Sequence, residues 1–150
     1  MEQNASTGAY ILLVEDNEGD VRLVMEALEE HGVIRELRVA RDGHEAIKFL
    51  NELESDTDAE CPALVLLDLN LPRVRGEYVL ARIRQSSRCR DIPVVVLTSS
   101  DAPRDRALVT ALGATGYWRK PPDLADFFKL GEVVKHFLDG SKQISASQNG

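Results

Sequence analysis

The feature that most constrains the fold is a short apolar run that ends on one carboxylate. Residues Ala63 to Leu67 read Ala-Leu-Val-Leu-Leu, and Asp68 follows directly. The run is too short for a helix and too continuously apolar for a strand with one face in water. It is typical of a central strand in a parallel sheet that helices cover on both faces. Because ligands bind beyond the carboxyl ends of such strands, Asp68 lies where a functional site is expected.

The rest of the chain alternates between short apolar runs and amphipathic segments with helical periodicity. Further strands are predicted at 10–14, 37–40, 93–97 and 117–118. Five strand and helix pairs joined by right-handed crossovers predict an α/β fold, with a five-stranded parallel sheet and helices on both faces. The strand order 2-1-3-4-5 is expected, because it makes neighbours of the two acid-bearing strands, the first and the third.

Three local predictions concern helix ends and loops. Ser100 or Asp101 is expected to cap the fourth helix, just before Pro103 in its first turn. The acidic stretch 51–60 is expected to form a solvated loop. One continuous last helix is predicted from about 124 to 138.

Length and charge limit the domain organisation and the possible partners. The 150 residues fit one domain, expected at 10–138, with disordered segments at 1–9 and 139–150. The net charge of −7 argues against binding to nucleic acid or to anionic membranes, because both require a basic surface. No apolar run approaches the roughly 20 residues of a membrane span.

The cysteines and the first residues bear on the cellular compartment. The polar start of the chain does not resemble a secretory signal, so a cytoplasmic location is expected. Cys61 and Cys89 have no CxxC partner, and cysteines in a reducing compartment usually stay unpaired. Two free thiols are therefore predicted.

Polar side chains end four of the five predicted strands. Glu15 and Asp16 follow the first strand, Asp68 the third, Thr98 ends the fourth, and Lys120 follows the fifth. In a parallel sheet these ends lie on one edge. Clustered carboxylates repel one another, which raises their pKa values unless a cation neutralises them. Mg²⁺, which prefers oxygen ligands and retains several waters, is the expected cofactor.

Together these groups suit phosphoryl transfer to an aspartate. Asp68 would act as the nucleophile, while Lys120 and the metal would neutralise charge on the phosphoryl oxygens. The Thr98 hydroxyl could donate to the same oxygens. A lone Asp at a strand end more often only ends the strand or caps a helix. Phosphoryl transfer is therefore indicated by the whole group of residues rather than by Asp68 alone.

Four segments of the chain resemble, in order, the signatures of receiver domains from two-component response regulators. They are Val14-Glu15-Asp16-Asn17, Leu67-Asp68-Leu69-Asn70-Leu71-Pro72, Leu97-Thr98-Ser99-Ser100 and Arg119-Lys120-Pro121. The resemblance covers roughly residues 10 to 138 and implies a flavodoxin-like receiver fold. It also implies a signalling switch rather than an enzyme, with phosphorylation and dephosphorylation of itself as its only chemistry.

The resemblance assigns the metal ligands and the phosphorylated residue. Asp68 is expected to be phosphorylated by a sensor histidine kinase. Glu15, Asp16 and Asp68 are expected to hold Mg²⁺, together with the backbone carbonyl of Asn70. Many receivers have Asp where this chain has Glu15, whose longer side chain can reach the metal directly or through water.

The resemblance also assigns the residues that respond to phosphorylation. Thr98 and Lys120 are expected to bind the phosphoryl group. Tyr117 matches the aromatic switch position, whose ring turns inward when Thr98 moves toward that group. The plain alternative for Tyr117 is packing in a half-exposed strand. The peptide bond between Lys120 and Pro121 is expected to be cis.

Within the family, the chain is similar to the small regulators paired with bacterial phytochrome histidine kinases. The similarity lies in the acidic insert 51–60, in Glu-Asp-Asn-x-x-Asp after the first strand, and in Leu-Asn-Leu-Pro-Arg after Asp68. It implies a phytochrome-type kinase as partner and a stand-alone regulator without an output domain. The signal would then leave through protein contacts, through homodimerisation, or by transfer of the phosphoryl group onward.

The last helix offers a possible dimer surface. Its wide apolar stripe is explained mostly by packing against the sheet. The sharper hypothesis assigns its outer edge, Phe128 and Leu138, to an isologous homodimer surface with the fourth helix and the fifth strand.

Other functions suit the sequence less well. Haloacid-dehalogenase-type phosphatases also use an Asp at a strand end, but Asn70 cannot replace their second Asp as acid and base. A flavodoxin-like FMN carrier would need a phosphate loop after the first strand, where Glu15 and Asp16 would repel a phosphate. A receiver that works only as a scaffold is a further alternative, although every catalytic position is filled.

Overall fold

The protein is described by a computed structural model that covers residues 10–100 and 102–139. The elements are β1 (Tyr10–Val14), α1 (Glu18–Glu30), β2 (Glu36–Ala40), α2 (Gly43–Ser55), β3 (Leu64–Asp68), α3 (Gly76–Arg84), β4 (Val94–Thr98), α4 (Pro103–Ala111), β5 (Gly116–Arg119), α5 (Leu124–Phe127) and α6 (Leu130–Leu138). The predicted disordered segment 1–9 lies outside the described residues. So does the predicted C-terminal tail, apart from Asp139, which is the C-cap of α6.

The strands form one parallel sheet in the order β2-β1-β3-β4-β5, which confirms the predicted fold class and strand order. β1 lies directly beside β3, with Val14 opposite Leu67. The residues that follow these two strands therefore lie side by side at the carboxyl edge of the sheet. β4 and β5 continue the sheet, with Thr98 opposite Arg119.

The core consists of two layers, one on each face of the sheet. Leu12 and Val14 point into a cluster that includes buried residues of α2, α3 and α4. Ile11 and Leu13 alternate with them and point into a second cluster that includes buried residues of α1 and α6. Every side chain of β1, β3 and β4 is buried. Helices on both faces thus explain the uninterrupted apolar runs.

Two helix boundaries differ from the sequence-based prediction. α2 continues to Ser55, so only the last part of the stretch 51–60 forms a loop. The reason is that Leu53, which is 5 % exposed, extends the apolar face of α2 beyond Leu50. The predicted last helix is divided into α5 and α6. The amide of Gly131 donates to the carbonyl of Phe128, and this three-residue spacing tightens the chain at the division.

Ser100 does not cap α4 in the predicted way, and Asp101 lies outside the described residues. Ala102 is the N-cap and makes no side-chain cap bond, while Pro103 begins the helix. The Ser100 hydroxyl instead accepts a hydrogen bond from the Ala102 amide at 3.1 Å and donates one to Asp105 at 2.7 Å. The serine therefore links the loop before α4 to the Asp105 side chain in the first helical turn, without capping a backbone amide within α4.

The prediction of two free thiols is wrong, because Cys61 and Cys89 form a disulfide. Cys61 lies in the loop before β3, and Cys89 lies in the segment before β4. Since these strands are neighbours, the two loops meet, and the Cα atoms of the cysteines are 5.8 Å apart. This separation is within the range that a disulfide requires.

Among the described residues, no helix combines the length and the apolar character that crossing a membrane requires.

Candidate functional site

Three carboxylates meet at the carboxyl edge of β1 and β3. Glu15 is fully buried, Asp68 is 4 % exposed, and Asp16 is exposed. Oxygen atoms of all three lie within 4.8 Å of one another. The amide of Glu15 donates to the carbonyl of Ala40, so β1 stays paired with β2 up to the site. The sheet therefore places the acids close together on a rigid support.

Lys120 extends from the end of β5 into this acidic group. Its Nζ atom lies 2.9 Å from Glu15 Oε1 and 2.8 Å from Asp20 Oδ2, but 3.6 Å from Asp68 Oδ2. Its amide donates to the Thr98 carbonyl at 2.7 Å, which fixes the backbone beside β4. The ammonium group thus forms its shorter contacts with the β1 and α1 side of the site.

Burial and charge shift the pKa values of Glu15 and Lys120. Burial raises the pKa of Glu15 from 4.5 to about 7, an effect that Lys120 opposes and Asp68 increases. Burial alone would lower the pKa of Lys120. The hydrogen bond to Asp20 and the charges of Glu15 and Asp68 outweigh burial and raise that pKa above its usual value. The lysine therefore stays charged, but one cation does not fully compensate the buried Glu15 carboxylate.

The donor set at this edge fits a hard divalent cation. A cation beside Glu15, Asp16 and Asp68 would supply the positive charge that the buried Glu15 carboxylate lacks. Oxygen is the only ligand type present among these three, as Mg²⁺ prefers, and the exposed Asp16 leaves an open side for water. Asn70, whose carbonyl is the predicted fourth ligand, donates its amide to Asp68 Oδ1 at 3.2 Å.

Gly76 is needed for the loop between β3 and α3 to close over the end of β3. A Cβ atom at this position would lie 2.5 Å from the Asp68 carbonyl oxygen and 2.7 Å from the Leu69 Cα. Real Cβ contacts are essentially never this short. The glycine therefore allows the start of α3 to lie directly against the backbone of the predicted phosphorylation site.

Thr98 and Tyr117 are both linked to Ser100. The amide of Ser100 donates to Thr98 Oγ1 at 3.1 Å, and the Tyr117 hydroxyl donates to the Ser100 carbonyl at 2.8 Å. Thr98 is fully buried, and the half-buried Tyr117 ring packs against the first core cluster. The guanidinium carbon of Arg106 lies 4.9 Å from the centre of that ring. A displacement of the loop at Ser100 would therefore affect both side chains.

The predicted cis peptide bond before Pro121 is wrong, because the structure has no cis peptide bond among the described residues. The trans form of a bond to proline is the more stable one by about 0.5–1 kcal/mol. In the trans form, Lys120 already reaches Glu15 and Asp20. The lysine therefore attains its position in the site without the cis form.

Asp20 is a member of the site that the sequence analysis did not assign. It appeared only as the last residue of the Glu-Asp-Asn-x-x-Asp pattern. Asn17 is the N-cap of α1 and accepts a hydrogen bond from the Asp20 amide at 2.9 Å. Three residues after the N-cap, a side chain lies in the first helical turn, beside the strand end from which α1 starts. This spacing was the signal that could have identified Asp20.

The two residues predicted at a dimer surface lie at helix ends: Phe128 is the C-cap of α5, and Leu138 is the last residue of α6. Phe128 and Leu138 are both half-buried and pack against the second core cluster. Among the described residues of α1, α4 and α5, the exposed large apolar side chains are Met25, Leu108 and Leu124.

Comparison with known proteins identifies the family. Residues 11–130 match the response regulator receiver domain. The chain is 39 % identical over 137 residues to the response regulator Rcp1 of Synechocystis sp., covering 91 % of this chain and 93 % of that protein.

Solved structures give the same result. The phosphorylated cyanobacterial phytochrome response regulator RcpA is similar with a TM-score of 0.79 and 36 % identity, over 89 % of this chain and 96 % of that chain. The Mn²⁺-bound form of response regulator Rcp1 is similar with a TM-score of 0.76 and 40 % identity, over 86 % of this chain and 93 % of that chain. The protein therefore belongs to the response regulator receiver domain family of two-component systems, in which an acidic pocket binds a divalent metal ion.

Proposed function

We propose that this receiver accepts a phosphoryl group on Asp68 from a sensor histidine kinase and releases it by hydrolysis, with Mg²⁺ as cofactor. The observation that carries the proposal is the position of Asp68. Its carboxylate ends β3 beside Glu15 and Asp16, and Lys120 is the cation next to it. Gain and loss of its own phosphoryl group is the only chemistry that we assign to the chain, and we expect it to act in the cytoplasm.

In the transfer step, an Asp68 carboxylate oxygen attacks phosphorus, and the bond from phosphorus to the donor atom breaks. The electron pair of that bond leaves with the donor. Glu15, Asp16, Asp68 and the Asn70 carbonyl would hold Mg²⁺, which when bound neutralises charge on the phosphoryl oxygens. Lys120 supplies a second positive charge, since the hydrogen bond to Asp20 and the charges of Glu15 and Asp68 outweigh burial and keep it protonated. The step needs mainly orientation and electrostatics, which the rigid strand ends provide.

The response to phosphorylation is proposed to pass through Thr98 and Tyr117. The Thr98 hydroxyl would move toward the phosphoryl oxygens, which would disturb its bond with the Ser100 amide. Because Tyr117 holds the carbonyl of the same serine, its ring would be released to turn inward. Both side chains thus connect Asp68 with the surface of α4 and β5.

The chemistry is tested by intact-protein mass spectrometry after incubation with acetyl phosphate, with and without Mg²⁺. One added phosphoryl group is expected, only with Mg²⁺, and none in Asp68→Asn. Since Asn retains the size of the side chain, this variant isolates the nucleophilic oxygen. An unmodified wild-type protein with an intact fold would contradict the proposal and favour a receiver that serves only as a scaffold.

We also propose that the donor is a histidine kinase of the phytochrome type. The support is similarity to Rcp1 and to RcpA, which is described as a phytochrome response regulator. Transfer from a purified, radiolabelled phytochrome kinase should reach the wild type faster than transfer from histidine kinases of other sensor classes. Equal rates from all kinases would contradict this assignment.

We further propose that the signal leaves through protein contacts, including a homodimer formed by α4, β5 and the α5–α6 segment. Phe128→Asp or Leu138→Asp is expected to give a monomer by light scattering. Both positions are half-buried, so the folded state of each variant must be verified by circular dichroism. A wild-type protein that is monomeric, or a folded variant that remains dimeric, would contradict the proposed dimer surface.

A further inference from the structure

Asp20 occupies a position at which a carboxylate usually accepts a hydrogen bond at the start of its own helix. In a capping box, the acidic side chain three residues after the N-cap accepts a hydrogen bond from the N-cap amide. Here the N-cap is Asn17, and its amide donates to Glu15 Oε2 at 3.3 Å instead. Glu15 therefore performs the capping function, and the Asp20 carboxylate is directed elsewhere.

The Asp20 carboxylate is bound to Lys120. The distance from Lys120 Nζ to Asp20 Oδ2 is 2.8 Å, the shortest of the three contacts that this ammonium makes with carboxylates in the site. The lysine side chain is 10 % exposed and that of Asp20 is 26 % exposed, so water screens the pair only partly. Asp20 itself is not among the acids that could hold a metal ion in the described part of the chain.

We propose that Asp20 is a positioning residue, which holds Lys120 toward α1 and thereby keeps Asp68 Oδ2 available to the metal ion and the phosphoryl donor. The inference rests on the proposed function, because it assumes that Asp68 must bind both. Two of the three ammonium hydrogens of Lys120 go to Asp20 and Glu15, and the contact with Asp68 stays at 3.6 Å.

Loss of the Asp20 charge has a defined consequence. Asp68 is the next carboxylate within reach of the ammonium, so Lys120 would move toward it and form a direct ion pair. That ion pair would occupy the oxygen that the metal ion needs. Asp20→Asn is therefore expected to weaken Mg²⁺ binding, although Asp20 does not contact the metal.

The test is a Mg²⁺ titration of the unphosphorylated protein, followed by the backbone amide signals in NMR spectra. Asp20→Asn should raise the dissociation constant about tenfold, as is common when a partner of a metal ligand is lost. Glu18→Gln is the matched control, because it removes the same charge from the same helical turn. Glu18 is exposed and contacts Arg41 rather than Lys120. The control should stay within about twofold of the wild type, since water and salt screen its charge.

A second background separates an effect through Lys120 from a direct effect of charge on the metal. In Lys120→Gln, the additional change Asp20→Asn should alter the Mg²⁺ dissociation constant less than about twofold, because no ammonium remains to be redirected. An equal weakening in both backgrounds would overturn the positioning role. So would a folded Asp20→Asn protein that binds Mg²⁺ like the Glu18→Gln control.

The outcomes also distinguish this inference from the proposed function. If the wild type binds Mg²⁺ and Asp20→Asn behaves like the control, only the role of Asp20 is overturned. A wild type that binds no Mg²⁺ would overturn both. The same spectra report whether each variant is folded, and Asp20→Ala, which should weaken binding as Asp20→Asn does, provides a second variant.

Discussion

The two edges of the sheet use charged side chains in opposite ways. At the carboxyl edge, Glu15, Asp16 and Asp68 lie close together, and a single lysine compensates them only in part. At the amino edge, Arg84 and Arg88 donate instead to backbone carbonyls of the surrounding loops. One edge thus concentrates like charges, whereas the other satisfies the polar groups of its own backbone.

The amino edge is held by two arginines and by one disulfide. Arg84 donates to the carbonyls of Gly113 and Ile92, which tie the loops before β5 and β4 to the end of α3. Arg88 donates to the carbonyl of Leu53 in the last turn of α2, where such groups otherwise lack partners. The Cys61–Cys89 disulfide joins the loops before β3 and β4.

The difference between the two edges indicates that the residues of the site lie at the carboxyl edge, whereas contacts that stabilise the fold lie at the amino edge. Grouped carboxylates reduce stability when no metal is bound, but they are what a phosphoryl-accepting site requires. The amino edge contains none of the residues assigned to that site, so it can be built for stability. Substitutions at the two edges should therefore have effects of opposite sign on the free energy of unfolding.

The largest effect is expected from the disulfide. Cys61 and Cys89 are separated by 28 residues in the sequence. Closing a loop of this length should stabilise the fold by about 3.5 kcal/mol through the entropy of the unfolded chain. Chemical denaturation with and without dithiothreitol measures this difference. In Cys61→Ala/Cys89→Ala the reductant should have no effect, and an equal response of both proteins would contradict the prediction.

Arg84 should give the next largest effect. Arg84→Lys keeps the charge but loses the planar fork that reaches two loops, so a loss of about 2 kcal/mol is expected. Arg104→Lys on the exposed surface of α4 is the control, and it should change stability little. Urea denaturation provides the comparison. A small loss for both variants would show that the loops do not depend on the guanidinium group.

The carboxyl edge should respond in the opposite direction. Asp16→Asn removes one of three adjacent negative charges, so in the absence of Mg²⁺ it should stabilise the protein by about 0.5 kcal/mol. Added Mg²⁺ should raise the melting temperature of the wild type and leave that of the variant almost unchanged. If Asp16→Asn were less stable than the wild type in the absence of Mg²⁺, the proposed contrast between the edges would be contradicted.

The contrast between the edges also explains what the sequence could predict. The strand order and the acidic residues of the site could be predicted from short-range patterns, because the first and third apolar runs are followed directly by these acidic residues. The buried runs before Glu15 and Asp68 specify parallel central strands, and parallel strands bring their ends together. Membership of the receiver family follows from the same strand ends.

The contacts of the amino edge could not be predicted in this way. Arg88 contacts carbonyls about 30 residues earlier in the chain, and no local pattern distinguishes it from a surface arginine. The disulfide was missed because compartment, rather than geometry, guided the prediction. Asp20, in α1 at the carboxyl edge, was missed for a related reason, because its partner Lys120 is 100 residues away. All three contacts join segments that are distant in the sequence and meet only after the sheet has formed.

The smallest effect is expected at Glu54, which adds a pH-dependent contact to the amino edge. Its carboxylate accepts hydrogen bonds from the hydroxyls of Ser86 and Ser87, and these bonds lower the pKa of Glu54 from 4.5 to about 2. A carboxyl with a lowered pKa in the folded state stabilises the protein above the pKa of the unfolded state. This stabilisation should therefore be complete above pH 4.5 and disappear as the pH falls toward 2.

The difference in unfolding free energy between wild type and Glu54→Gln, measured by denaturation from pH 6 to pH 2, tests this prediction. The difference should be constant down to about pH 5 and then shrink as Glu54 becomes protonated in the unfolded chain. In a Ser86→Ala/Ser87→Ala background, the pH-dependent part should shrink, because the hydroxyls are the largest cause of the lowered pKa and only the backbone amides of Ser87 and Arg88 remain as donors. A difference that grows on acidification would mean that Glu54 is destabilising as an anion. The amino edge would then carry an uncompensated charge as the carboxyl edge does, and the contrast between them would fail at this residue.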